Sequence, residues 1–502
     1  MSFAAYAVLW VALVVAAGLL ATIRGRPRFT WAVILALPAA AINLWLLARP
    51  TSATAIWALA GRQWAIDEPV WQLTGVTLLL FLAAIAHFAL NRHSGDEQQP
   101  TWLFTLAAAA LPVIWAADAR TRVMGLGLLA LVWAASIAFD RSREPGDLGR
   151  RLIPALPFAP ALFSLWLAGV LPTAALPFSL LAAVLLFCVQ PPAGRAATET
   201  TALDLLRGGL PVVAGAAVLL AALRGVVPSG AEVAGATALG LLGLVIGLWR
   251  AWYQWPERLP EALRPALCGL LLTAAVWVGP AALLPAARLA VFAQGLLVIA
   301  DALRPTEQTV TRARWAITPR TIGAAAVFLA VAGLPLTVGF GVLAPLYGAW
   351  LASGGWVLLA VTVILLTMWL ATLFGVARLL INDGAPGNRI GWLRGAALLP
   401  LLAGLVHFNT AALGVGPVIW AAIGLPIVAG LLLGRFAPAP ETVGGLRREA
   451  ASLPPAAARL TQRARQMGRA TYEALGDALA ILEGEYGLLW LLGLLLLLLW
   501  LA

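Results

Sequence analysis

The chain contains no lysine among its 502 residues, so all 33 basic residues are arginine. Arginine cannot be deprotonated in a protein, whereas a buried lysine shifts its pKa and can pass a proton. A lysine-based proton relay is therefore excluded. Charge of any kind is scarce: 11% of residues are charged and 62% are hydrophobic. A soluble globular chain carries about 25% charged residues, so this composition excludes a soluble enzyme and a disordered protein. Only three histidines (87, 93 and 407) and two cysteines (Cys188 and Cys268) occur. They are scattered, which gives no disulfide framework and no metal, haem or iron–sulfur spacing. No cofactor is expected. The cysteines read as buried thiols in separate apolar segments.

What is abundant is apolar sequence in runs of roughly 20 residues, the length that crosses a bilayer as a helix. The expected fold is an all-α polytopic membrane protein of about 14–16 spans. Sixteen candidates read as 3–23, 30–48, 70–90, 102–118, 122–139, 153–171, 174–190, 208–227, 231–249, 262–279, 283–303, 321–341, 355–379, 395–413, 415–434 and 486–501. The first lacks a basic leader and a small-residue cleavage site, and reads as a retained helix. With the N-terminus outside, the outer side holds Arg49, Arg62, Arg120, Arg122, Arg224 and Arg288, leaving 27 of 33 arginines inside. That asymmetry is what the positive-inside rule demands. It accounts for the net charge of +11 without invoking nucleic acid.

Two regions are not plain spans. Residues 153–192 carry seven prolines, among them Pro191 and Pro192, so helices there are expected to be short, kinked or broken. Backbone interrupted at membrane depth must be covered by protein or line a water-filled cavity. Residues 441–483 are polar and basic, and after Pro454–Pro455 the stretch 456–482 has the pattern of an amphipathic helix lying along the membrane. Its apolar face would carry Leu460, Met467, Leu475, Leu479 and Leu482, with Arg459, Arg463, Arg465 and Arg469 on another. Those arginines suit either anionic lipid or an adjacent protein. The domains then read as N-terminal helices (1–98), a transmembrane core (99–435), a lateral helix (436–483) and a last span (484–502).

Ionisable residues inside spans are the default functional candidates in a membrane protein. His87 and His407 lie in apolar helices, where each is either a relay group or a neutral hydrogen-bonded ring. Asp301 lies near the inner end of its helix, where boundary solvation accounts for it. Many of the 22 tryptophans, including Trp64, Trp71, Trp102, Trp350, Trp356 and Trp392, fall near span ends and fit an interfacial belt. Gly240, Gly243 and Gly247 imply close helix packing. No phosphate loop, nucleophile elbow or intramembrane carboxylate pair is apparent.

Four stretches resemble the antiporter-like membrane subunits shared by respiratory complex I and the multisubunit cation/proton antiporters. Gly333-Leu334-Pro335-Leu336-Thr337-Val338-Gly339-Phe340 is similar to the family's GLPPxxGF segment. Leu239 to Arg250 followed by Pro256-Glu257-Arg258-Leu259 looks like its helix and "DLKRLLAYS" connector. Ala287–Asp301 resembles the "HAxxKALLF" helix. Leu482 to Trp490 is similar to the acidic-glycine lead into a last helix. Order and spacing agree over about residues 100–380.

The resemblance implies two inverted five-helix repeats, each with a broken helix, and a hydrated axis of buried lysines and a glutamate. The segments at 172–192 and at Gly333, Pro335 and Gly339 would be the breaks. The functional residues do not carry over. The family lysine of "HAxxKALLF" falls at Gln294, the one after GLPPxxGF near Leu343, and the "WE" glutamate at Ala134, while Leu185–Gln190 supplies none. The resemblance thus implies a degenerate member that has lost the usual pump, with other membrane subunits and the lipid bilayer as partners. Ion-path candidates are Gln294, His87, His407 and Asp301. Two rivals stand beside it. One is a stand-alone secondary transporter, which would require His87, Asn43, Gln294, His407 and Asn409 to cluster. The other is a polytopic membrane transferase, which would require a large polar loop. An alanine-, glycine- and arginine-rich composition fits a prokaryotic plasma membrane.

Overall fold

A computed structural model describes residues 3–23, 27–48, 55–59, 62–90, 99–139, 152–190, 202–224, 226–253, 259–303, 318–382, 393–407 and 414–436. The expected lateral helix and last span lie outside the described residues. Among those described, the chain is a helical bundle: α1 (Phe3–Thr22), α2 (Pro27–Ala48), α3 (Glu68–Leu90), α4 (Gln99–Trp115), α5 (Ala119–Ala138), α6 (Phe158–Val170), α7 (Ala175–Cys188), α8 (Ala202–Ala222), α9 (Gly230–Tyr253), α10 (Leu259–Val278), α11 (Pro280–Ala302), α12 (Pro319–Val331), α13 (Val338–Ala352), α14 (Trp356–Asn382), α15 (Leu399–Leu405) and α16 (Pro417–Phe436). Among the described residues, nine helical stretches are long and apolar enough to cross a membrane, and five further apolar helices are shorter. The chain is a multi-pass membrane protein.

Burial grades the bundle into centre and rim. α8 and α11 have 89% of their apolar windows buried, against 28% for α16 and 33% for α9. α8 packs on α3, α4, α7 and α11, and α11 packs on α10, α12, α13 and α15. The rim helices present Leu239, Leu242, Val245, Ile246 and Trp249 on α9, and Leu425, Val428, Leu432 and Leu433 on α16. Such faces are unremarkable against lipid. Glycine brings rim to centre. A Cβ on Gly240, Gly243 or Gly247 of α9 would lie 2.1–2.6 Å from atoms of α10, and one on Gly269 would lie 2.3 Å from the Gly240 carbonyl. α9 and α10 therefore touch backbone to backbone, the packing the glycine spacing implied.

Most expected spans appear as helices, two differ, and the Pro-rich region has the short helices expected of it. The expected span 321–341 is interrupted: α12 ends at Val331, the chain turns through 332–337, and α13 continues to Ala352. The expected span 395–413 is a short helix that ends at Leu405. Over 153–188 the prolines yield two short helices, α6 and α7, each led in by a 3-10 turn and packed on each other. Pro191 and Pro192 lie outside the described residues.

One element was not anticipated. Between α2 and α3, β1 (Ala55–Leu59) and β2 (Arg62–Ile66) form an antiparallel hairpin with Trp57 opposite Trp64. It closes one end of the bundle: the Ala117 N–H donates to the Gln63 carbonyl at 3.0 Å, and the Gln63 N–H donates to Asp118 Oδ2 at 3.1 Å. Arg224 and Asp67 form an ion pair of 2.5 Å at the same end. Asp118 also caps α5, accepting from the Thr121 N–H at 2.8 Å and from its hydroxyl at 2.6 Å. Burial works against ionisation of Asp118. The hydrogen bonds from Thr121, Gln63 and Arg120 outweigh it and hold the carboxyl below its ordinary range.

Asp118→Ala should therefore lower stability by about 1 kcal/mol at neutral pH, the usual cost of a lost N-cap. A depressed folded pKa contributes stability above the unfolded value near ~3.9, lost as pH falls through the folded value. The difference in Tm between native chain and variant, followed by tryptophan fluorescence, should therefore shrink on acidification. A difference independent of pH would show that the carboxylate's charge is not what ties the hairpin to α5.

Candidate functional site

The polar interior is built around arginines that bond to the carbonyl ends of neighbouring helices. The last four carbonyls of a helix have no intrahelical partner, and that end carries a partial negative charge. In a bilayer those groups must be satisfied by protein or by a cavity. Arg207 sits five residues into α8 and is fully buried. Its Nη2 donates to the carbonyl of Ser136 in the last turn of α5, and its Nε to the Ser136 hydroxyl at 3.0 Å. Its Nη1 pairs with Asp204 Oδ1 at 3.3 Å, one turn back on the same helix. Trp133 Nε1 donates in return to the Arg207 carbonyl at 3.0 Å. α5 and α8 are thus locked by hydrogen bonds in both directions, with Asp204 balancing the charge of Arg207.

Arg264 repeats the arrangement. It lies five residues into α10, is 2% exposed, and donates from Nε to the Phe187 carbonyl in the last turn of α7 at 3.1 Å. Arg288 of α11 donates from Nε to the Gly404 carbonyl at 3.1 Å and from Nη2 to the Val406 carbonyl at 2.8 Å, closing the end of α15. At the hairpin end, Arg122 reaches the carbonyls of Ala116 and Ala117 just beyond α4, at 3.3 and 3.4 Å. Four arginines serve four helix ends. The planar fork suits this task, because it addresses two acceptors at once and carries a fixed charge.

Two depths are organised in this way. The N-terminal turns of α8 and α10 meet the C-terminal turns of α5 and α7, so Arg207, Asp204, Ser136 and Arg264 share one end of the bundle, about 8 Å in from the helix starts. A Cβ on Gly295 of α11 would lie 3.8 Å from Leu205 of α8, which sets Gln294 at the height of the Asp204–Arg207 pair. Gln294 is 6% exposed, and its Oε1 finds no hydrogen-bond donor among the described residues.

The second level is the break. Gly333 has φ +70, a conformation that costs glycine nothing, and Leu336 adopts φ 69. Gly339 opens α13 with no space for a side chain: a Cβ there would fall 1.6 Å from the Ala330 carbonyl. Pro335 lies in the turn between them. The His407 N–H donates to the Leu336 carbonyl at 2.8 Å, and Thr337 bridges to Val406. The two interrupted stretches, 332–337 and the end of α15, are therefore joined, with Arg288 fixing the second. The His407 ring lies against Gly341, where a Cβ would be 2.8 Å from its Cδ2.

The remaining candidates fall elsewhere. His87 is buried in the last turn of α3. Asp301 is in the last turn of α11, as expected for a boundary residue. Leu343 is buried beside Gly333. Ala134 is half-buried, and its neighbours Trp133 and Ser136 make the contact with α8. Asn409 lies outside the described residues. The tryptophan belt needs correcting in part: Trp350 is fully buried and Trp71 is 7% exposed, whereas Trp356 is exposed. Other indoles join helices, Trp115 Nε1 donating to Thr74 Oγ1 at 3.0 Å and Trp369 Nε1 to the Leu244 carbonyl at 3.2 Å. These two indole N–H groups find acceptors on packed helices, whereas those of Trp71 and Trp350 find none among the described residues.

Sequence reasoning missed Arg207, Asp204 and Arg264. The Asp204-x-x-Arg207 spacing on an apolar helix was a usable signal, but starting that span at 208 placed the pair in a loop. Arg264 was counted as an end-of-helix charge, and it is instead enclosed.

These features define a helical membrane protein with an interrupted helix at its core and a fixed-charge interior. A chain in a structure of the Mrp complex from Dietzia sp. DQ12-45-1b superposes with TM-score 0.64 at 17% identity, over 95% of this chain and 62% of that one. A chain of the membrane-bound sulfane sulfur reductase, an archaeal respiratory membrane complex, superposes with TM-score 0.50 at 13% identity, over 89% and 77%. The fold is thus shared with chains of these two membrane complexes. This chain spans less than two thirds of the Mrp chain's length. No protein-family model and no curated protein matches the sequence.

Removing one member of the Asp204–Arg207 pair should weaken the contact between α5 and α8. Arg207→Leu takes the cation away from the buried Asp204 carboxylate and should cost about 3–5 kcal/mol. Adding Asp204→Asn should recover part of that loss, a coupling of about 0.5–3 kcal/mol in a double-mutant cycle on Tm. Additive effects would mean the pair is not an interacting unit.

Proposed function

We propose that this chain is a structural or modulatory membrane subunit of a complex I-like or cation/proton antiporter-like assembly, rather than its ion pump. The observation that carries this reading is the content of the polar interior. A proton path needs groups that change protonation at accessible pH. At the aligned positions stand Gln294, Leu343 and Ala134, and the buried cations nearby are arginines bonded to backbone carbonyls. The antiporter-like fold supports membership of such an assembly, and the amphipathic stretch 456–482 is suited to lie against neighbouring subunits. We place the chain in a prokaryotic plasma membrane with its N-terminus outside, on the arginine asymmetry of the loops. The stand-alone transporter is less well supported: His87 ends α3 and His407 sits at the break, so these two candidates lie on different elements.

Mass spectrometry after mild detergent extraction tests the assembly. Antiporter-like homologues should co-purify with the chain, and recovery of the chain alone would refute the assignment. A second experiment tests the aligned position. A lysine at 294, buried at the height of Arg207, would have its folded pKa depressed by burial and by the neighbouring cation. The unfolded state then binds more protons, so stability rises with pH. Gln294→Lys should therefore gain Tm from about pH 6 to pH 9 relative to the native chain. An unchanged pH dependence would remove the support for aligning Gln294 with a buried, charge-bearing site.

A further inference from the structure

Arg264 differs from the other helix-capping arginines in what it leaves unbonded. Arg207 has a carboxylate, a hydroxyl and a carbonyl, and Arg288 has two carbonyls. Arg264 spends only Nε, on the Phe187 carbonyl, and its Nη1 and Nη2 find no acceptor among the described residues although both are buried. Four N–H groups on a permanently charged fork are thus enclosed without a partner. Cys268 stands one turn along α10 and Cys188 at the end of α7, and a thiol supplies no fixed counter-charge. The end of α7 supplies about half a negative charge. That leaves about half of the guanidinium charge uncompensated, in surroundings where an unpaired ion is costly.

We propose that the Arg264 fork, between α7 and α10, binds a small inorganic anion of the halide class. An anion on the Nη side accepts from the two terminal nitrogens and supplies the charge that the α7 end only half provides. The Cys268 and Cys188 thiols can add weak S–H donors, and neither competes as a fixed negative charge. Arg264 lies only about 8 Å from the start of α10, near the end of the bundle that carries it. The Arg207 fork offers no equivalent, because Asp204 already occupies it. The inference does not depend on the assembly reading, and it is tested on the full chain alone.

The test compares the detergent-solubilised chain in sodium chloride and in sodium gluconate at matched ionic strength. A ligand that binds only the folded state raises Tm with its concentration. Chloride should raise Tm by a few degrees over gluconate in a saturable manner, bromide should substitute for it, and Arg264→Gln should abolish the difference. Arg264→Lys keeps the charge but not the two-nitrogen fork, and should weaken chloride affinity about tenfold, equivalent to about 1.4 kcal/mol. Should the glutamine variant fail to fold, equilibrium binding of radiolabelled chloride to the native chain and to the lysine variant decides the matter. Equal Tm in both salts, no saturable chloride binding, or binding unchanged by the Arg264 substitutions would each overturn the proposal and leave ordinary hydration of the fork.

Discussion

The interior of this protein depends on one interaction: a guanidinium donating into the carbonyl end of a neighbouring helix where water is scarce. Helices that stop at membrane depth expose carbonyls that lipid cannot satisfy. Short and interrupted helices multiply that problem, and α5, α7 and α15 all end against another helix. Glycine and proline can make a chain turn, but neither supplies a donor for the carbonyls the turn releases. Arginine does, and its charge is drawn to the negative pole of the helix it closes. Lysine would be a poorer cap, being a compact point charge that can shed its proton in a dry site. The absence of lysine and the use of arginine as a fastener are two sides of one chemical choice.

The break at 332–337 illustrates how sequence and packing divide the work. Gly333 permits a left-handed turn, and Gly339 permits the start of α13 to lie against the Ala330 carbonyl at the end of α12. Those two demands explain why glycine stands at both ends of the Gly333–Phe340 motif, independently of any relative that shares it. Pairing of Leu336 with His407 and of Thr337 with Val406 then satisfies backbone that would otherwise be stranded. Arg288 bonds to the far side of that joint, so three segments distant in sequence close one defect.

The membrane class, most spans and the glycine-mediated α9–α10 contact were legible because each depends on local apolar runs and short spacings. The hairpin at 55–66 was not, because its strands are only five residues long and Ala55–Leu59 is apolar throughout, with no alternation to mark it. The fate of the tryptophans was only partly legible. Proximity to a span end suggests an interface, yet Trp350 faces inward, and mid-span Trp133 and Trp369 serve as interhelical donors. The buried arginines escaped for a geometric reason. A charge five residues inside a helix reads as a loop charge when the helix start is misplaced, as for Arg207, or as an end charge near that start, as for Arg264, and the acceptor that justifies its burial lies 71 residues away for Arg207 and 77 for Arg264.

Position and protonation together constrain what such an interior can do. A relay group must be both reachable and able to lose a proton, and the two requirements separate here. Arg207 and Arg264 occupy the enclosed level but hold their charge; His407 can titrate, but it sits at the break, apart from the Asp204–Arg207 pair. Gln294 bridges neither gap, since an amide can orient water without exchanging charge with it. A fixed positive charge within a bundle repels cations and resists protonation of its neighbours, while binding the helices that surround it. An interior of this composition holds its helices together with fixed cations and offers no chain of titratable groups among the described residues.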